Sequence, residues 1–249
     1  MSEARARSRD AQWEVFTPLG GPRAEAIVQR LTEAITLGLL ADGEQLPSEV
    51  ELAQQFGVST ITLREALAEL RREGLVETRR GRGGGSFVRA PDGAFLARLT
   101  AQLISTTASE LRDRGDEQTA ISGTAAFLAA ERADTEDIAH LGVLVDRLAA
   151  AGDHEQRRRA DTRFHIDVAV ASQSIRLTRA QVRLQSETGA LLWLVAAGEL
   201  EVPQVITGHR QLVKAIADED PRAARDLSQD HVARVTRALL AAHLRLTWR

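Results

Sequence analysis

With 249 residues and no Cys, the chain has room for two modest domains with real cores and excludes both a disulfide-held fold and a thiolate metal site. No apolar run approaches the ~20 residues that span a bilayer, and the charged start MSEARARSRD lacks the apolar stretch of a secretory signal, so a cytoplasmic protein with no membrane partner is expected. The formal net charge of -3 does not advertise a nucleic-acid partner, but it is unevenly spread: Arg64 to Arg89 holds seven Arg against four Glu.

Residues 1–21 read as an N-terminal arm, with Trp13, Val15 and Phe16 expected to contact another part of the protein. Arg23 to Leu40 follows as an amphipathic helix with Ile27, Leu31, Ala34 and Ile35 on one face. Ser48 is a good N-cap for a helix over Glu49–Phe56, and Gly57 can take the positive φ needed to leave it. Ser59 then caps a second helix, Thr60 to Glu73. Its Leu63, Leu67 and Leu70 point inward and leave Thr60, Thr62, Arg64 and Arg71 outside. A helix pair joined by a short Gly turn lays its second helix in the major groove of DNA. Two short strands, Leu75–Thr78 and Ser86–Val88, flank a basic Gly-rich tip from Arg79 to Gly85, where Arg can meet phosphate or a minor groove. A small helical domain with a solvated Arg loop would share parts of this pattern. The whole ordered set instead predicts a winged helix-turn-helix over residues 22–90 that binds double-stranded DNA. The candidate DNA-binding residues are Ser48, Ser59, Thr60, Thr62, Arg64, Arg79, Arg80, Gly81 and Arg82.

Ala90-Pro91-Asp92-Gly93 marks the domain boundary. Over residues 91–249 the pattern turns almost wholly helical. Segments are expected near Ala94–Asp113, Glu117–Arg132, Thr135–Ala150, His154–Ala171, Ile175–Ala197, Pro203–Ala217 and Pro221–Leu246. Asp134 and Asp220 stand at N-cap positions, and Pro221 follows at the first helical position. Short connections and apolar stripes predict an antiparallel all-α bundle, so the fold class is mainly α.

Asp161 and His165 are four apart in RRRADTRFHIDVAVA, on one face of one helix and beside Phe164, Val168 and Ala171. His209 and His231 lie beside apolar positions in later helices. Three imidazoles and a carboxylate converging inside a bundle would suit Zn²⁺, Ni²⁺ or Mn²⁺. A local Asp–His pair and packed histidines are the plainer alternative at this point. His140, His154 and His243 read as surface or satisfied residues, and Arg157, Arg158 and Arg159 as a solvated helix face.

The first domain resembles the GntR family of bacterial regulators: LPSE, the FGVS turn, TLREAL, the EGLV run and the GRGGGSFV wing stand in that family's order. The second resembles the all-α FCD effector domain of its FadR-type branch, through FLAAERA (Phe127–Ala133), DTRFH (Asp161–His165), GHRQLVKAI (Gly208–Ile216) and DPRAARDLSQDHV (Asp220–Val232). The resemblance implies a homodimeric, non-enzymatic regulator, expected to be a repressor, on a palindromic operator, controlled by a small organic acid. It also implies a divalent metal in the effector cavity, with Zn favoured, held by Asp161, His165, His209 and His231 and anchoring the acid's carboxylate. The chain departs from the family's pattern at Val50 and Thr60, where relatives usually carry Arg, and at Gln118 and Ser122, where a cavity Arg and Glu are common. Two other readings stay open: a metal that only holds the bundle together, with no effector, and a metal-dependent enzyme fused to a DNA-binding module.

Overall fold

The computed structural model describes residues 24–37, 39–40, 42–81, 83–89, 97, 100–101, 103–195 and 202–247. The arm over 1–21, the boundary at Ala90–Gly93 and Arg82 lie outside the described residues. Two compact units divide the chain, the first reaching to Ala97. Among the described residues, no helix is long and apolar enough to cross a membrane.

In the first unit, helix α1 (Ala24–Thr36) buries Ile27, Leu31, Ala34 and Ile35, the face its periodicity predicts. Helix α2 (Glu49–Phe56) opens with a full capping box: the Ser48 hydroxyl accepts from the Glu51 backbone N–H, and the Glu51 carboxylate accepts from the Ser48 backbone N–H. Gly57 closes it at φ 67°, and Val58 N–H reaches back to Ala53 O at 2.9 Å. Ser59 caps α3 (Thr60–Arg72), whose Leu63, Ala66, Leu67 and Leu70 are buried.

Strands β1 (Val76–Arg79) and β2 (Gly85–Val88) pair antiparallel, with Val76 opposite Val88 and Arg79 opposite Gly85. The Gly run at their tip is a steric necessity. A Cβ on Gly84 would stand 2.5 Å from Arg79 O, and Gly81 and Gly83 have φ of 101° and 85°. The far side of β2 is also paired: Leu46 N–H donates to Ser86 O, and Val88 N–H to Glu44 O, each at 2.9 Å. The stretch before α2 therefore serves as a third edge of the wing. Nothing in its composition signals this, because the pairing is made across the sequence of two intervening helices.

The second unit is an all-α bundle: α4 (Ala108–Arg132), α5 (Thr135–Ala150), α6 (His154–Ala171), α7 (Ile175–Val195), α8 (Val202–Ala217) and α9 (Pro221–Thr247). The two caps expected from sequence are present. Asp134 forms a capping box with Asp137, and Asp220 accepts from Ala223 N–H at 3.0 Å. Two expectations need correction. The segment expected over Ala94–Asp113 is broken at Thr106–Thr107, where Thr107 caps α4, and the break predicted between Asp113 and Glu117 does not exist: α4 runs through Gly115 without interruption. Gly115 is there for contact, not for a turn: a Cβ would lie 2.5 Å from Thr236 Cγ2 on α9. Gly123 meets Gln229 in the same way, at 2.7 Å. These two contacts run in opposite directions along the two helices, so α4 and α9 are antiparallel and closely apposed. The core between them and α5, α6 and α8 is built on Phe164, Leu141, Leu144, Val145, Leu212 and Ile216.

Candidate functional site

Asp161, His165, His209 and His231 come together inside the bundle. One ligand atom from each lies within 4.8 Å of the others, and all four residues are buried. Helix α6 brings Asp161 and His165 through its four-residue repeat. Helices α8 and α9 bring His209 and His231 from their apolar faces, where Val205, Leu212, Val232 and Val235 are buried alongside. The rings crowd one another: His165 and His231 have centroids 4.8 Å apart, His209 and His231 4.9 Å, and Phe164 stacks on His209 at 4.1 Å.

This crowding is not explained by hydrogen bonding within the cluster. His209 is 1% exposed, yet neither of its ring nitrogens has a hydrogen-bond partner in the chain. Its Nε2 stands 3.5 Å from Asp161 Oδ1, and His165 Nε2 stands 3.8 Å away, distances too long for a hydrogen bond. Leaving buried polar atoms unpaired is costly. Ligands at ~2.0–2.2 Å around one tetrahedral ion stand roughly 3.5 Å apart, so a modest contraction would bring all four donors onto one ion. The residues present therefore fit a divalent cation, and the donor set of three nitrogens and one oxygen suits a borderline one such as Zn²⁺.

Electrostatics point the same way. Burial pushes His209 and His231 well below the usual imidazole value of 6.5, and neighbouring histidines and Arg234 add to this. Burial also lowers His165, with Asp161 pulling in the opposite direction. The imidazoles are thus held in the neutral form that can donate to a metal. The sign for stability follows. Below 6.5 the unfolded chain takes up protons before the folded one does, so stability is full above that value and falls as pH drops toward the folded pKa values. We expect the unfolding free energy of metal-free protein, from urea titration, to be level above pH ~7 and to decline below pH ~6.5, by at most ~1.4 kcal/mol per pH unit for each histidine, with the midpoint moving in step. An unchanged midpoint from pH 7 down to 5 would contradict buried neutral imidazoles.

Two of the other histidines, His140 and His243, are satisfied elsewhere. His140 Nε2 pairs with Asp167 Oδ2 at 2.8 Å, and His243 Nδ1 with Leu103 O at 3.0 Å. The solvated face predicted for Arg157–Arg159 is not found. Arg158 is buried at 5% exposure, and Arg157 donates to Ala151 O at 3.3 Å. Arg158 lies on the α6 stripe that continues through Asp161, Thr162 and His165, so this stripe already faces the interior at Arg158. A buried cation therefore enters the bundle from α6. Spacing could have suggested it: positions 158, 161, 162 and 165 share one helical face.

On the first unit, the described candidate DNA residues, all but Arg82, are exposed or half-buried at the start of α2, along α3 and on the wing. Ser48 and Ser59 act as caps. The Ser59 hydroxyl accepts from Thr62 N–H at 3.1 Å and lies 2.9 Å from Thr62 Oγ1. Arg64, 66% exposed at its side chain, donates through Nε to Glu49 at 2.7 Å. Arg79 donates to Glu77 at 2.7 Å and lies over the Phe87 ring at 4.2 Å. Arg80 and Gly81 are exposed at the tip, and Val50 is exposed at 58%. The sequence reading missed Glu49 and Glu77, which hold these guanidiniums in place. Exposed pairs of this kind contribute little to stability but fix direction.

A winged helix-turn-helix in one unit, and in the other an all-α bundle with a buried Asp/His₃ cluster, define a class of regulator that joins a DNA-reading module to a ligand-sensing one. Similarity to known proteins agrees. Residues 23–85 match the family described as bacterial regulatory proteins, gntR family, and residues 118–234 match the FCD domain. The chain belongs to the GntR family of transcriptional regulators and carries an FCD effector domain. It is 45% identical over 214 residues to a protein of Mycobacterium gastri described as an HTH-type transcriptional regulator, RmpR, covering 85% of this chain and 78% of that one. It is 28% identical over 224 residues to the galactonate operon transcriptional repressor of Escherichia coli (87% and 96% covered), and 27% over 233 residues to the Glc operon transcriptional activator (88% and 89%). A GntR regulator structure from Rhodococcus sp. RHA1 shares the fold, with a TM-score of 0.50, 21% identity and coverage of 88% of this chain and 98% of that one.

Proposed function

We propose that this regulator is a repressor that binds a palindromic operator as a homodimer, and that a small carboxylate effector in the FCD cavity alters its affinity for DNA. The observation that carries the reading is the buried set Asp161, His165, His209 and His231, in the same chain as a winged helix-turn-helix. These four residues would hold a divalent metal, with Zn favoured over Ni or Mn. Bound there, the metal would supply a Lewis-acid anchor for a carboxylate. Ser48, Ser59, Thr60, Thr62, Arg64, Arg79, Arg80, Gly81 and Arg82 form the proposed DNA surface. Ser48 and Ser59 present helix N-termini to phosphate, Arg64 reads from the exposed face of α3, and the wing Arg residues reach the backbone. Val50 and Thr60 place no guanidinium where relatives usually do, so base reading falls more heavily on Arg64. The site is assigned no catalytic role.

The test uses full-length protein and DNA from upstream of its own gene. Sequence-selective binding that weakens steeply with salt is expected. The Arg64→Ala variant should bind ~10- to 100-fold more weakly, with an unchanged thermal transition because its only described partner is the exposed Glu49. Unaltered affinity would remove Arg64 from the reading surface. A reporter that rises when the gene is deleted indicates repression; one that falls indicates activation. A metal that stabilises the bundle while no acid changes DNA affinity would leave a structural role only.

A further inference from the structure

We propose that Gln185, supported by Gln181, forms a wall of the effector cavity that reads hydroxyl groups, so that the effector is a hydroxylated carboxylic acid and not a plain alkanoic acid. This inference rests on the effector reading above. It comes from the register of three helices. Helices α4 and α7 meet where Ser122 Oγ donates to Gln181 Oε1 at 3.0 Å, and again at an ion pair between Arg183 and Glu117. Numbering falls along α4 as it rises along α7, so the two are antiparallel. One turn beyond the Ser122–Gln181 contact, Gln118 comes opposite Gln185. Helices α6 and α7 form a hairpin in which Thr178 Oγ1 donates to Ala169 O at 3.1 Å. About two turns from that contact, Thr162 also comes opposite Gln185. Gln185 therefore lies where α4, α6 and α7 meet.

Its polar atoms are unused by the chain. Gln185 is 1% exposed, and neither atom of its amide has a hydrogen-bond partner. The same holds for Gln181 Nε2 and for Thr162 Oγ1, in residues 1% and 0% exposed. Thr162 directly follows Asp161 and stands one turn before His165, so this polar wall adjoins the Asp/His₃ cluster. An acid held there by its carboxylate would extend its carbon chain along Thr162, Gln185 and Gln181.

The unused atoms are of both kinds: amide N–H donors, an amide carbonyl acceptor, and a hydroxyl that does both. A second carboxylate only accepts and an alkyl chain does neither. A chain of hydroxyl groups donates and accepts at successive carbons. A site with buried groups built to hydrogen-bond a hydroxyl strongly rejects the analogue that lacks it, whereas an apolar pocket discriminates weakly.

The test is calorimetric titration of full-length, zinc-loaded, dialysed protein with hexanoate and with a panel of four- to six-carbon aldonates (threonate, ribonate, xylonate, gluconate, galactonate). At least one aldonate should bind ~100-fold or more tightly than hexanoate. Gln185→Leu should reduce that preference at least tenfold, with zinc content and ligand-free DNA affinity unchanged. Its ligand-free melting temperature should equal or exceed the wild-type value, because an unpaired buried amide has been replaced by an apolar group of similar size. Gln181→Leu should show a smaller change in the same direction, and it carries the test if Gln185→Leu fails to fold. Hexanoate binding as well as the aldonates, or a preference untouched by both substitutions, overturns the hydroxyl-reading wall and leaves the effector reading standing. If no acid binds and none changes DNA affinity, the effector reading falls and the inference falls with it.

Discussion

His209→Ala should remove most of the metal-dependent part of this protein's stability. His209 is the most buried of the four proposed ligands, and both its ring nitrogens lack partners. Loss of a supporting contact around a metal site costs ~10–100-fold in affinity, and loss of a ligand should cost at least the upper end of that range. With zinc at a thousand times its dissociation constant, the wild type would gain ~4 kcal/mol on binding. A hundredfold loss of affinity would leave the variant ~1.4 kcal/mol of that gain. The metal-free variant should change far less, because removing the ring also removes two unpaired buried nitrogens. Elemental analysis of purified protein and melting with and without added zinc check both parts. His140→Ala is the control: His140 is bonded to Asp167, away from the cluster, and its loss should leave metal content intact. Full occupancy in His209→Ala would remove it from the ligand set.

Phe164→Ala should produce the largest loss of intrinsic stability. Phe164 is fully buried in the core shared by α4, α5, α6 and α8, and it also stacks on His209 at 4.1 Å. Truncation of a buried Phe costs ~3–5 kcal/mol, through lost transfer energy and the cavity left behind. For a chain of this size that lowers the melting temperature by very roughly 10 °C. Phe164→Leu keeps most of the volume and should cost less than half as much. The stack gives a second readout. Because the Phe164 ring holds the His209 plane in place, Phe164→Ala should also weaken zinc binding, whereas a comparably destabilising truncation at Leu144, which makes no ring contact to the cluster, should not. Equal effects on zinc from both substitutions would reduce Phe164 to a packing role.

The helices were legible because their signals are local. Ser48, Ser59, Asp134 and Asp220 each satisfy backbone N–H groups within three residues, and such contacts are written in the order of the chain. Gly115 shows where this reading ends: a glycine inside a helix looks like a break until Thr236, far away in sequence, is seen to occupy the space beside it. Arg158 is a different case: three consecutive arginines suggest a solvated face, but its spacing to 161, 162 and 165 already places it on the inward stripe.

The sequence by itself determined the winged helix-turn-helix, the all-helical character of the second unit, and the pairing of Asp161 with His165. All of these depend on contacts within a turn or two of chain, where composition and spacing suffice. Only the tertiary structure brought His209 and His231 to that pair, added Glu44–Leu46 to the wing and set Gln185 at the meeting of three helices. Helical periodicity specifies which face of a helix is buried. The residue it faces depends on the direction and register of the neighbouring helix, which is set by packing across the whole bundle.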